Sequence, residues 1–528
     1  MTATATQTIV LQQPVALGAG SDLAPLTVVE STARTDSDQA EGDSRSASIL
    51  KKSTVVLTLA GTNFVNSAVN GLVMIALPRI AADLSLPDSL AFWPSSVGGL
   101  ATASTLLLAG SVADAIGART VDLVGCVAAG AFALGTGFAR SGAELVALRA
   151  LQGVGYSMHL ASSIALITKS LPRGRGRNLA FSCIGLSQPL GFSLGLVLGG
   201  VLVDSIGWRA GWWLYGGIGL LLSAIGFWVL PADDVHRPVS VVLSGIKRQV
   251  DLVGALLASA FMAMTCYLLA ILSTDVYKIK EAQSITLVCL IVVALPSFIG
   301  WAHRQVKVGR PALIPNSLWK KPAFTAMCCS VAISNAVLNS LELFSSLFFQ
   351  EVQHLSPMQA AIRILPNVVV GIILNLTTGL FVDKIRAIHL VVGSALVSAV
   401  APLLMAVIQP QWSYWADAFV AQALMPFSAD ILFTVGLIVI TDVFPEDEHA
   451  VAGAVFNTTA QFGNAFGLAI MQVISFLVSK EHDGMRPVDA LMEGYRAGFW
   501  TMLGLMLLCA IIGGLGMRKA GKIGLKTE

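Results

Sequence analysis

Gly110-Ser-Val-Ala-Asp114-Ala-Ile-Gly117-Ala-Arg119 is a short polar turn between two long apolar runs, with glycines flanking a single acid. A second version, Gly379-Leu-Phe-Val-Asp383-Lys384-Ile-Arg386, again separates two apolar runs. The two acids lie 269 positions apart (383 − 114). A tight turn repeated once, at corresponding places in two apolar halves, is the pattern an internally duplicated transporter would show.

Composition agrees with that pattern. The 528 residues are 55% hydrophobic and 12% charged, about half the charge that covers a soluble domain. Lipid is the solvent such a chain expects. The net charge of +2 is uninformative, and no basic stripe interleaved with aromatics points to nucleic acid. All seven cysteines fall in apolar runs without metal or disulfide spacing, so they read as small buried hydrophobes and no metal is expected.

Outward from the two turns, apolar runs of spanning length recur near 54–78, 93–113, 120–139, 145–168, 179–203, 210–230, 251–273, 284–302, 323–349, 360–382, 388–408, 418–441, 451–477 and 497–517. Fourteen runs of this length exclude barrel strands, which need only about ten residues, and predict an all-α polytopic bundle. An inside N-terminus places 22 Lys and Arg on inner connections and the tail segments next to them, from Arg45 onward, against 9 in outer loops. That bias predicts cytoplasmic termini and an even number of spans. The expected organisation is a disordered tail (1–53), a six-helix half (54–230), a linker with two extra helices (231–322), a second six-helix half (323–517) and a short tail (518–528). No secretory signal is read at the start.

The pattern Gly-x-x-Ala-Asp-x-x-Gly-x-Arg at 110–119 resembles the signature between the second and third helices of the major facilitator superfamily. That resemblance implies two rocking halves with Asp114 and Arg119, and Asp383 in the repeat, acting as an inner latch. Ala115 and Ala118 stand where the family usually has basic residues, which thins the local charge network. The plainer reading of Asp114 is a helix-capping acid in a solvated turn.

In the fourth run, Arg149-Ala-Leu-Gln152-Gly153 resembles the family's Arg-x-x-Gln-Gly helix, whose arginine is linked to proton transfer in proton-coupled relatives. Arg149, Gln152, Tyr156 and His159 follow helical spacing and can share a face. An arginine at this depth faces the bundle interior or water; the alternative is a structural arginine bonded to backbone. His159 reads first as a hydrogen-bonded packing residue. In the fifth run, Gly191, Gly195 and Gly199 form a small-residue stripe that lets two backbones approach closely. The stripe is similar to the glycine-rich motif of the superfamily's antiporters, except that Leu196 replaces the usual proline and Pro189 precedes the stripe.

Uncharged polar faces are expected to line a substrate cavity: Asn63, Asn66 and Asn70 in the first run, Gln188 in the fifth, Asn335 and Asn339 in the ninth, and Gln461 in the thirteenth. Glu342 and Asp430, each inside an apolar run, are candidates to load and release a proton, against a purely structural hydrogen-bonding role. The Asn375 and Asn457 sequons fall within helices or at an inner end and are discounted as glycosylation sites.

Phe348-Phe-Gln-Glu-Val-Gln-His-Leu-Ser-Pro357, Ser413-Tyr-Trp415, Asp430-Ile-Leu-Phe-Thr-Val435 and Val455-Phe-Asn-Thr-Thr-Ala-Gln-Phe-Gly463 are similar to fungal fourteen-helix drug:proton antiporters of the aminotriazole-resistance type. The resemblance spans about residues 54–517. It implies a monomeric plasma-membrane exporter of a small organic molecule, driven by protons and needing no cofactor. Two alternatives remain at this point: a proton-coupled importer on the same fold, and a transport-dead sensor, for which the chain lacks a large patterned soluble domain. No P-loop and no nucleophile–base pair suggests an ATP-driven pump or an enzyme.

Overall fold

Helices appear where the apolar runs predict them. The computed structural model describes residues 33–87, 93–171, 175–231, 251–272, 276–310, 312–381, 385–444, 449–482 and 484–518. Their α-helices are α1 (Ala33–Asp83), α2 (Trp93–Ile116), α3 (Ala118–Thr136), α4 (Gly142–Ser170), α5 (Arg175–Ser205), α6 (Trp208–Val229), α7 (Leu252–Leu272), α8 (Ala282–Lys307), α9 (Pro322–Leu347), α10 (Pro357–Phe381), α11 (Ala387–Val407), α12 (Ala418–Leu424), α13 (Phe427–Val443), α14 (His449–Glu481) and α15 (Pro487–Gly516).

Contacts divide the chain into two units, Met1–Lys51 and Lys52–Glu528. In the first unit, residues from Ala33 onward are helical, where the sequence suggested a disordered tail to 53. Ala, Gln, Glu and Arg in this stretch are good helix formers, which a reading based on missing apolar content underweights. Residues 1–32 of that tail and the tail beyond 518 lie outside the described residues.

Among the described residues, thirteen helical segments are long and apolar enough to cross a membrane, α12 and α13 together forming one of them. The fourteenth passage is α4. Its 29 residues suffice to cross, but Arg149, Gln152, Ser157, His159, Ser162 and Ser163 lower its apolarity, and all six are buried. A polar spanning helix must sit inside its bundle, and α4 packs between α2 and α3.

Two boundaries differ from the sequence reading for local reasons. The run at 418–441 is broken between α12 and α13, where Pro426 lacks the N–H a continuous helix would use. Ser398 of α11 repairs the break: its hydroxyl donates toward Met425 O (3.0 Å) and accepts from Ser428 N (2.8 Å). The last helix begins at Pro487 rather than 497, with proline in its first turn.

The turn that opened the sequence reading links α2 to α3 through one residue, Gly117, whose φ of 119° is a conformation side-chain-bearing residues rarely adopt. Asp114 lies in the last turn of α2, but its side chain is outside the described set, as is all of Asp383.

The duplication is visible in packing. Gly191 and Gly195 of α5 press on Phe64 and Ala68 of α1 so closely that a Cβ on either would overlap that helix's carbonyl oxygen, and Gly199 faces Leu72. In the second half, Gly463 and Gly467 of α14 press on Ala332 and Ala336 of α9. The glycine pairs are offset by 272 residues (463 − 191 and 467 − 195), their partners by 268 (332 − 64 and 336 − 68). One joint has therefore been built twice. Contacts between the halves run along α5 with α10 and α2 with α14, and the inserted α7 packs on both α2 and α14.

Candidate functional site

Two polar centres lie inside the helical bundle, one in each half. The N-terminal centre is organised by α4. Its N-terminus is fixed by Ser141, whose hydroxyl accepts from Glu144 N (3.3 Å), while Glu144 accepts from Arg140 N (2.9 Å). Two turns further on, Arg149 is 2% exposed. It donates to Pro94 O (3.2 Å), Gln152 Oε1 (2.9 Å) and Asn70 Oδ1 (3.2 Å), and lies 5.3 Å from the Trp212 ring centroid. Every acceptor is neutral, so the guanidinium keeps its charge by hydrogen bonding and an aromatic face. Gly98 leaves the space; a Cβ there would come 2.9 Å from the guanidinium.

One turn deeper, the Tyr156 hydroxyl donates to Asn63 Oδ1, and Asn63 Nδ2 donates to Ile184 O (3.1 Å) and Ser187 Oγ (2.8 Å). Asn66 and Gln188 also lie within hydrogen-bonding reach of Tyr156. Asn63, Asn66, Asn70, Gln152, Tyr156 and Gln188 are thus brought together on α1, α4 and α5, and the joint at Gly191 and Gly195 sets the close approach that lets these short side chains meet.

His159 continues the face of α4 and meets a group that sequence reasoning missed. Its Nδ1 is 2.9 Å from Asp122 Oδ1 and 3.4 Å from Cys126 Sγ, both on α3. The sequence reading gave Asp122 no role. The available signal was its i, i+4 spacing to Cys126, which puts both on one face of α3.

The C-terminal centre contains two acids. Glu342 of α9 is buried and accepts from Asn367 Nδ2 of α10 (2.6 Å). Asp430 of α13 is near enough to interact with it electrostatically. Asn375 lies beside the Asp430 carboxyl and donates to Gly371 O (3.0 Å). Gly371 faces the same carboxyl; a Cβ there would come 2.9 Å from Asp430 Oδ2. Two carboxyls and two amides, drawn from three helices, form one cluster inside the bundle.

The other candidates sit elsewhere. Asn335 is half-buried and donates to Val331 O of its own helix (2.9 Å), Asn339 is half-buried, and Gln461 accepts from Asn464 (3.4 Å). No described hydrogen bond joins them to the acid pair. Gln422, on the other side of the break at Pro426 from Asp430, is buried and donates to Ser345 Oγ (3.0 Å). Arg119 donates to Phe227 O of α6 (2.5 Å) and lies 5.7 Å from the Phe227 ring centroid.

At the start of α12, Asp417 is 3% exposed, and among the described residues neither of its carboxylate oxygens has a hydrogen-bond partner. Burial pushes its pKa above the usual carboxylate range.

Comparison with known proteins agrees with the architecture. The sequence pattern of the Major Facilitator Superfamily matches residues 59–423 and 367–522. "MFS-type transporter 1" of Pyricularia oryzae is 36% identical, over 92% of this chain and 86% of that protein. "Efflux pump terJ" of Aspergillus terreus is 22% identical, over 85% of each. Among solved structures, a bacterial homologue of the human lysosomal transporter Spinster, inward-facing and unoccupied, superposes with a TM-score of 0.62 at 16% identity, over 89% of this chain and 98% of that one. At that identity the superposition speaks for the fold alone.

Proposed function

The chain belongs to the major facilitator superfamily, a multi-pass membrane carrier, and from that premise we propose that it exports a small organic molecule in exchange for protons by alternating access. The observation that carries the reading is the Glu342–Asp430 pair with its amides Asn367 and Asn375. A carboxyl withdrawn from water and facing another carboxyl can be neutralised by one proton, which is what an exchange carrier needs on one leg of its cycle. The N-terminal centre is suited to the cargo: it offers amides, a phenol and an arginine without an opposing acid at Arg149. Such a lining favours a neutral or weakly acidic molecule over a simple cation.

Export is favoured over import by kinship with an efflux pump of Aspergillus terreus and by the resemblance of 54–517 to fungal drug:proton antiporters. The resemblance also supports a plasma-membrane location with both termini cytoplasmic and a monomeric carrier that uses no cofactor. The inner turns at Asp114 and Asp383 are assigned as latches between the halves.

Cells lacking their own exporters, with and without this protein, decide the matter. They are challenged with aminotriazole, borate, cationic dyes and fungal toxins, each with and without a protonophore. Resistance with lower cell content, abolished by the protonophore, is expected. Higher content would mean import, and resistance that survives the protonophore would remove proton coupling.

A further inference from the structure

The chemistry at Asp122, Cys126 and His159 is left unused by the reading above. The three side chains offer an oxygen, a sulfur and a nitrogen within 4.8 Å of one another, all fully buried between α3 and α4. We propose that Asp122, Cys126 and His159 form a binding site for a single borderline transition cation of the zinc class, held inside the N-terminal half.

Hydrogen bonding alone serves this trio poorly. His159 Nδ1 faces both Asp122 Oδ1 (2.9 Å) and Cys126 Sγ (3.4 Å). That one nitrogen carries either a hydrogen or a lone pair. With the hydrogen it serves Asp122 and offers nothing to the thiol proton; with the lone pair it serves the thiol and faces the carboxylate unprotonated. The thiol can otherwise donate only to Asp122 Oδ2 at 3.7 Å or Thr62 Oγ1 at 3.9 Å, long and weak bonds for a buried sulfur. A cation at the centre satisfies all three donors together.

Geometry and charge both suit such an ion. Bonds of about 2.0 Å to nitrogen and oxygen and about 2.3 Å to sulfur, at tetrahedral angles, separate the donors by roughly 3.3–3.5 Å. The nitrogen lies 2.9 Å from one carboxylate oxygen and 3.4 Å from the sulfur, and the sulfur lies 3.7 Å from the other oxygen, so a small turn of the Asp122 carboxylate brings one oxygen to the distance a shared ion needs. A divalent ion with one thiolate, one carboxylate and a neutral imidazole is electrically neutral, the least costly state in a water-poor interior. Sulfur and nitrogen ligands exclude magnesium and calcium, which take oxygen. Thr62 of α1 supplies the fourth direction: its hydroxyl hydrogen goes to Thr58 O (3.1 Å), leaving its lone pairs toward Cys126. Binding therefore ties α3 to α4 and draws in α1, and it displaces the thiol proton and the proton shared by His159 and Asp122.

The test uses the full chain purified in detergent. Metal content is measured after growth with zinc. Cobalt exchange is followed by its thiolate charge-transfer absorption, and X-ray absorption defines the ligands. One ion per chain is expected, with one sulfur and the remaining ligands nitrogen or oxygen, and a higher melting temperature than in chelator. Cys126→Ser should abolish the charge-transfer band, while Cys328→Ser, at another buried thiol, should keep it. A folded wild-type chain that takes up no ion, or an ion without sulfur, overturns the site, and so does a band that persists in Cys126→Ser. The wild-type measurements decide even if Cys126→Ser does not fold.

Discussion

At the scale of single residues, the two halves are charged differently. The C-terminal centre carries two acids, Glu342 and Asp430, and the N-terminal one an arginine held by neutral acceptors. Replacing Glu342 with Gln or Asp430 with Asn keeps size and hydrogen-bonding reach but removes the proton. Each is expected to lower proton-driven flux by about tenfold or more while leaving the protein folded; exchange of labelled for unlabelled substrate across proteoliposomes, without a gradient, should survive. Equal flux in wild type and both variants under a pH gradient would move the proton site elsewhere. Arg149→Lys should also fail to restore function, because one ammonium cannot reach the three acceptors that the planar guanidinium bridges; transport at wild-type level would refute that role. Asp417 invites a different measurement. Its raised folded-state pKa means the native protein holds this proton more tightly than the unfolded chain, so its burial is tolerated best at acidic pH and costs stability as pH rises through the folded value. Asp417→Asn is therefore expected to raise the melting temperature at neutral pH, with the gain shrinking on acidification. Much of this scale was legible, since helical spacing put Arg149, Gln152, Tyr156 and His159 on one face of one helix and Asn63, Asn66 and Asn70 on one face of another, though not that the two faces meet. Asp122 was not, because its meaning depends on a partner 37 positions away across a helix pair.

Among elements, the joints of α5 on α1 and α14 on α9 carry the architecture. The three-glycine stripe of α5 could be read from the sequence, but the matching pair on α14 drew no notice there because it has only Gly463 and Gly467, with Met471 where a third glycine would stand. Gly195→Val places two methyl groups where the Ala68 carbonyl stands, and Gly467→Val does the same against Ala336. Each is expected to destabilise by about 1–3 kcal/mol or more, since α5 and α14 must retreat from their partners. Loss of melting temperature or of correctly folded yield in detergent tests this, and Gly217→Val, where no neighbouring atom lies near, should be nearly neutral. Elements failed to follow the sequence where hydrophobicity alone was blind. Pro426 split one expected span into α12 and α13, and proline at position 487 started α15 early. Apolar content locates a span; hydrogen-bond supply decides where it breaks.

Across the whole molecule, the fold was the most legible part, because lipid leaves a long apolar chain few ways to satisfy its backbone. The one span that apolar content undervalues, α4, is the one that carries the N-terminal polar centre, so a low hydrophobic score and function have the same cause. The inserted pair tells a different story. Only 11% of the apolar stretch of α8 is buried within the protein, and Ile285, Leu290, Val292, Val293 and Ile299 are all exposed. For this helix the acyl chains themselves are the packing partner. Its 26 residues span about 39 Å at the α-helical rise, but the apolar run 284–302 covers roughly 28 Å of that, close to the roughly 30 Å of a typical hydrocarbon core, and His303, Arg304, Gln305 and Lys307 extend past it toward the headgroups. Its apolar length therefore fits an ordinary bilayer upright, and only a membrane thinner than that run forces α8 to tilt.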